Sequence, residues 1–175
     1  MSLISISGFI ALISYIVTLL PSNLSSVFPI TKKQTIIKII RKYRRDIGLS
    51  SFLFASIHAS ITISHLHLDM MNVRTYAVYY SGIITLVIFT LLAITSNKFS
   101  IRRMKKAWKF LHNFTYLAMF LLIVHIWSLM LGKWTSFTGI GLMLLGLVII
   151  LYLIRIYVSF WKKTYWMLVH KRSLF

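Results

Sequence analysis

The sequence contains no cysteine, and Asp46 and Asp69 are its only acidic residues. The first absence excludes disulfides, thiolate-held clusters and the covalent c-type haem attachment motif. The second leaves hydrophobic segments without the carboxylates that a proton or cation path would use, which argues against an ion-coupled transporter. No G-x-G-x-x-G occurs, so no motif for NAD(P)H is visible. There is no internal repeat and no low-complexity linker.

What is present is apolar and basic. Hydrophobic residues make up 58% of the 175, and mean hydropathy is +0.82. A soluble chain of this size would not expose so much apolar surface, so an integral membrane protein is expected. Twenty Lys and Arg give a net charge of +18. Such a balance often signals nucleic acid. Here the charges lie between hydrophobic runs, where membrane topology and anionic lipid account for them better.

The runs predict an all-α fold, a polytopic membrane bundle of about five helices forming one domain over 1–175. The first span covers about Leu3 to Leu20 and is stopped by Pro21. It lacks the basic start and small-residue cleavage pattern of a signal peptide, and reads as a retained helix. The basic segment Thr31 to Arg45 follows, with Ile36, Ile37 and Ile40 near one helical face. It reads as a short helix in the membrane interface or as a solvated basic loop. Further spans are expected at about Ile47 to His67, Tyr76 to Thr95, Trp108 to Met130 and Phe137 to Tyr157.

Charge sets the orientation. Residues 21–46 hold seven Lys or Arg, residues 97–109 six, and the region after the fifth span four. The opposite side holds only Arg74 and Lys133. The positive-inside rule puts the basic loops and the C-terminus in the cytoplasm and the N-terminus outside, in a cytoplasmic (inner) membrane.

Six histidines remain, and an ionisable residue inside a span marks a functional site by default. His112 lies near the cytoplasmic face, and His125 roughly 20 Å further along the same helix. His58 sits mid-membrane or further out on the second span. The two spans run parallel, so His58 and His125 fall at similar depth. Two neutral imidazoles on facing helices are what a six-coordinate b-type haem requires. His112 and His125 are about 140° apart around an ideal helix, so they do not share one narrow face. His112 also reads as a packed, hydrogen-bonded polar residue. His65, seven residues after His58, is an alternative ligand, and His65 with His67 would suit a metal or substrate outside. His170 reads as a tail residue.

RRDIGLSSFLFASIH, Arg44 to His58, resembles the R-R-x-x-G-L…H helix of the ferric reductase-like transmembrane family. LAITSNKFSIRRMKKAWKFLHNFTYLAMFLLIVH, Leu92 to His125, is similar to its T-S…W-x-x-L-H-x-x-x-Y…H pattern. Within that family the chain resembles the haem-binding subunit of bacterial methionine-sulfoxide reductase systems. The resemblance covers roughly residues 8 to 157. It implies transmembrane electron transfer through haem b, with iron held by His58 and His125. It puts His112 on a further histidine position, which would bind a second haem or contact a flavin, a quinone or a haem propionate. NADPH oxidases, more distant members, carry another histidine where this chain has Arg44. Arg44 and Arg45, with Arg102 and Arg103, would hold a phosphate or propionates, or serve topology alone.

The expected function is a haem b electron-transfer subunit of an oxidoreductase. Electrons would come from a separate reductase, flavin (FMN) or quinol on the cytoplasmic side. They would leave to a periplasmic acceptor protein or ferric iron. The rival class is a non-catalytic membrane anchor or assembly subunit of a larger complex.

Overall fold

The computed structural model describes residues 3–65, 73–130 and 135–172, leaving aside the side chains at 73–78, 130, 163 and 165–172. These residues form six α-helices: α1 (Leu3–Val27), α2 (Thr35–His65), α3 (Val73–Ile94), α4 (Lys98–Met104), α5 (Lys106–Met130) and α6 (Ser136–Arg172). Four of them, α1, α2, α5 and α6, are each long and apolar enough to cross a membrane. The stretch Tyr79–Ile94 of α3 passes the same test only together with α4, from which it is bent by 94°, so the described residues give four or five spans. The protein is thus a multi-pass, all-α membrane bundle.

Helix packing follows a closed circuit. α1 packs on α2, α2 on α3, α3 on α5, α5 on α6, and α6 back on α1. Among the described residues, α2 and α5 make no backbone approach to each other, nor do α1 and α3. Only side chains fill the middle. The buried plug comprises Leu12, Tyr15, Ile16 and Leu19 of α1, Ile88 and Phe89 of α3, Ala118 and Met119 of α5, and Leu145 and Val148 of α6. Outward-facing side chains such as Leu53, Val87, Leu117, Met143 and Leu147 are exposed and apolar. In a membrane they meet lipid rather than water.

Two features differ from the sequence expectation. Pro21 does not stop the first helix but lies buried inside it, and α1 runs on to Val27. Proline costs a hydrogen bond and crowds the preceding turn. Within membrane helices it is tolerated where neighbouring helices and hydroxyl side chains surround the freed backbone. The second difference is in the basic segment. Apart from the 3-10 turn Pro29–Lys33, it is neither a loop nor a separate interfacial helix. It forms the first turns of α2, continuous with the second span.

The reason is a seam. Positions 37, 41, 44, 48, 51, 55 and 58 of α2 alternate steps of four and three, the spacing that keeps one face of a helix against an antiparallel neighbour. Arg41 donates to Ser25 Oγ (2.7 Å) and Arg44 to Ser22 Oγ (3.1 Å). Gly48 lies against Thr18. Ser51 Oγ donates to the Ala11 carbonyl (2.9 Å), and His58 meets Ile4 (2.9 Å). The seam is thus largely polar from end to end. Hydrogen bonds and small residues hold helices together in lipid, where apolar side chains gain little by leaving it.

The α3–α5 junction is also built from side chains. Asn97 caps α4 by accepting from Ser100 N (2.7 Å), the usual way an N-cap satisfies an orphan amide. Lys105, the one described non-glycine residue with a positive φ (50°), turns the chain from α4 into α5. The indole N–H of Trp108 donates to the Thr95 carbonyl just past α3 (3.0 Å), tying α5 back onto it.

Candidate functional site

Two glycines define the site. On α1, Gly8 faces His58 of α2 so closely that a Cβ would lie 2.9 Å from Nδ1 and 3.0 Å from Cε1 of the imidazole. On α3, Gly82 faces His125 of α5, and a Cβ there would lie 2.5 Å from Cε1 and 2.7 Å from Nδ1. Each histidine therefore sits in a notch that any side chain larger than hydrogen would close. Van der Waals contacts this short cannot be met without moving the imidazole.

The two notches belong to non-adjacent helices of the circuit, α2 and α5. His58 lies against α1 and His125 against α3, each imidazole half-buried. Their hydrogen bonding differs. The Ile4 carbonyl can only accept, so His58 Nδ1 carries the proton and donates to it, leaving the Nε2 lone pair. A carbonyl on one imidazole nitrogen is how proteins fix the tautomer that ligates metal through the other. His125 Nδ1 is buried and has no hydrogen-bond partner among the described residues. Ser81 Oγ, beside Gly82 in sequence, is likewise buried and unpartnered. Unpaired buried polar atoms are rare and call for an explanation.

His112 occupies a different environment. Its imidazole stacks on Trp108 at a centroid distance of 3.9 Å, and Nε2 lies 3.4 Å from Thr95 Oγ1. Thr95, Trp108 and His112, which the sequence presents as a spaced motif, thus form one local cluster where α5 is tied back to α3. His65 is exposed in the last turn of α2. His67 lies outside the described residues. Among the described residues, no three His, Cys, Asp or Glu side chains gather in a metal-binding group. The candidate residues are thus two imidazoles, His58 and His125, each facing a glycine.

The opposite end of the interior holds cations. Arg44 is half-buried and bonded to Ser22. Arg45, one residue on, is exposed. Arg155 of α6 donates to Asn23 Oδ1 (3.2 Å) and Tyr116 Oη (2.5 Å), and its guanidinium stands 5.6 Å from the Tyr116 ring centre. Tyr116 stacks in turn on Tyr152 (4.2 Å). Tyr15 bridges the interior by donating to the Thr115 carbonyl of α5. The sequence alone gives no role to Arg155, Gly8, Gly82, Asn23 or Tyr116. Nothing in the sequence marks those two glycines among the chain's seven. Their meaning appears only with the imidazoles opposite.

Comparison with known proteins agrees with this architecture. The pattern of the ferric reductase like transmembrane component family matches residues 7–123, a stretch containing Gly8, His58, Gly82 and His112. Among curated proteins, the chain is similar to three named protein-methionine-sulfoxide reductase heme-binding subunit MsrQ. The Pectobacterium carotovorum protein is 29% identical over 133 residues, covering 71% of this chain and 64% of that protein. The Klebsiella pneumoniae protein is 31% identical over 129 residues, 70% and 60% of the two chains. The Enterobacter protein is 31% identical over 97 residues, 51% and 49%. The chain therefore spans less than two thirds of the length of these relatives. With the family pattern covering most of its length, the chain belongs to the ferric reductase-like transmembrane component family.

Proposed function

We propose that the protein is a haem b-binding electron-transfer subunit, in which His58 and His125 would hold the iron. The observation that carries this reading is the two imidazoles set in glycine notches on helices that are not adjacent in the circuit. The residues present fit the group. His58 offers Nε2 with its tautomer set by the Ile4 carbonyl, and His125 offers an imidazole with an unpartnered nitrogen. Gly8 and Gly82 supply clearance beside each ligand. The relatives' name, a heme-binding subunit, supports the same reading.

Bound haem supplies one-electron carriage within the membrane, at a potential set by its ligands and surroundings. The protein's own residues do the rest. The notches fix the imidazole orientations, and the plug of Leu12, Leu19, Met119 and Leu145 keeps water from the interior. His112, held by Thr95 and Trp108, stands on the basic side near the donor. There it is placed to contact a propionate, a flavin or a quinone. Arg44 and Arg45 lie at the same end and suit the anionic groups of such a molecule.

The orientation belongs to this proposal. The basic loops and C-terminus face the cytoplasm of an inner membrane, and the His58–His125 end faces outward. Electrons enter from a separate reductase, FMN or a quinol, and leave to a periplasmic reductase or ferric iron. The test is a reduced-minus-oxidised absorption spectrum of the purified full chain. A b-type α-band is expected, and it should vanish when His58 and His125 are both changed to alanine. No α-band, or one indifferent to the double change, overturns the reading and leaves an anchor or assembly subunit.

A further inference from the structure

A second site lies at the cation-rich end, outside the imidazole pair. A cavity of about 490 Å³ opens between the end of α1, the 3-10 turn, the start of α2 and the middle of α6. That volume is within the roughly 300–1,000 Å³ of small-molecule sites. Four cationic side chains line it, Arg41, Arg155, Lys32 and Lys162, together with hydroxyls that include Ser22 and Ser25. No carboxylate lines it. Asp46 is exposed and elsewhere, and Asp69 lies outside the described residues.

Four like charges around one cavity repel each other unless an anion joins them. Among the described residues, the two guanidiniums are paired only with neutral acceptors. Arg41 has the Ser25 hydroxyl, and Arg155 has the Asn23 amide oxygen and the Tyr116 hydroxyl. A guanidinium carries five N–H donors in a fork that matches phosphate oxygens. Serine hydroxyls add donors of the kind phosphate esters take. The position is also specific. Lys162 lies beyond the apolar run 137–157 of α6, and Lys32 follows the end of α1, which puts the cavity toward the membrane–water boundary. Phospholipid phosphates lie at that level.

We propose that this cavity binds a phosphate group, through Arg41 and Arg155 with Lys32 and Lys162 closing over it. The source is the headgroup of an anionic phospholipid or a soluble phosphate ester. The site holds whether or not the imidazole pair carries haem, since the two share no residue.

The experiment uses the purified full chain in detergent and has two arms. In the first, native mass spectrometry follows retention of phosphatidylglycerol against phosphatidylcholine. In the second, lipid-free protein is titrated with inorganic phosphate and thermal unfolding is recorded. We expect selective retention of phosphatidylglycerol, at least tenfold weaker in Arg41→Gln/Arg155→Gln, and unchanged in the exposed control Lys33→Gln/Lys38→Gln. Phosphate stabilisation of several degrees, lost in the same double variant and with no lipid retained, assigns the site to a soluble ester and also upholds it. Should the arginine variant fail to fold, Lys32→Gln/Lys162→Gln decides, with an expected several-fold loss at unchanged helical circular dichroism. The proposal is overturned if neither ligand binds, if the cavity variants bind as wild type does, or if the control loses as much as they do.

Discussion

At one end of the bundle, around Gly8 and Gly82, the interior polar groups are imidazoles. At the other, around Asn23, they are guanidiniums. Along α1, Gly8 and Asn23 are roughly 22 Å apart, with the apolar plug between them. The histidine end is built by subtraction: missing side chains make room, and a ring nitrogen is left unpartnered. The arginine end is built by addition, with hydroxyl, phenol and amide groups gathered around each cation. Neutral imidazoles can be held in a low-dielectric interior with few partners. A guanidinium cannot, because it stays charged and its desolvation must be offset by hydrogen bonds. The contrast suits the proposed metal ligation to the first end and the proposed anion contact to the second.

The largest expected effect comes from filling a notch. Gly82→Val should remove most of the bound haem, since even a Cβ would press to 2.5 Å on the His125 imidazole. Helical circular dichroism should persist. Gly8→Ala should act in the same direction but less, its closest contact being 2.9 Å. Haem content of the two variants, read by pyridine haemochromogen, checks the order. If both keep full haem, the notches do not position the ligands.

Breaking the other end should cost stability first. Arg155→Met would leave Asn23 without its partner, in a residue whose Nδ2 is already unpartnered. An unsatisfied buried polar group costs about 1–3 kcal/mol. Thermal unfolding in detergent should shift down accordingly, while the spectral signature of any bound haem stays in place. The smallest effect is expected midway. Ser51→Ala removes one buried hydrogen bond to the Ala11 carbonyl, which is worth about 1 kcal/mol. It should lower thermal stability slightly and leave haem content unchanged.

Much of this was legible in the sequence. The spans show as long apolar runs, and the expected depths of His58 and His125 rest on the same runs. The α1–α2 seam was not legible, because periodicity is usually sought in apolar residues. This seam is written in Arg41, Arg44, Gly48, Ser51 and His58 instead. The same habit made the basic segment look separate from the span it begins. Pro21 reads as a stop because it removes a backbone hydrogen bond, whereas here it is buried among helices, where membrane proteins tolerate that loss. The role of Arg155 could not be read because its partners, Asn23 and Tyr116, lie 132 and 39 residues away.

The most direct measurement is haem per chain in three single variants, His58→Ala, His125→Ala and His112→Ala, purified under identical conditions. The account predicts near-complete loss for the first two and near wild-type content for His112→Ala, whose imidazole is already engaged by Thr95 and Trp108. Loss of haem in His112→Ala equal to that in His125→Ala would contradict it.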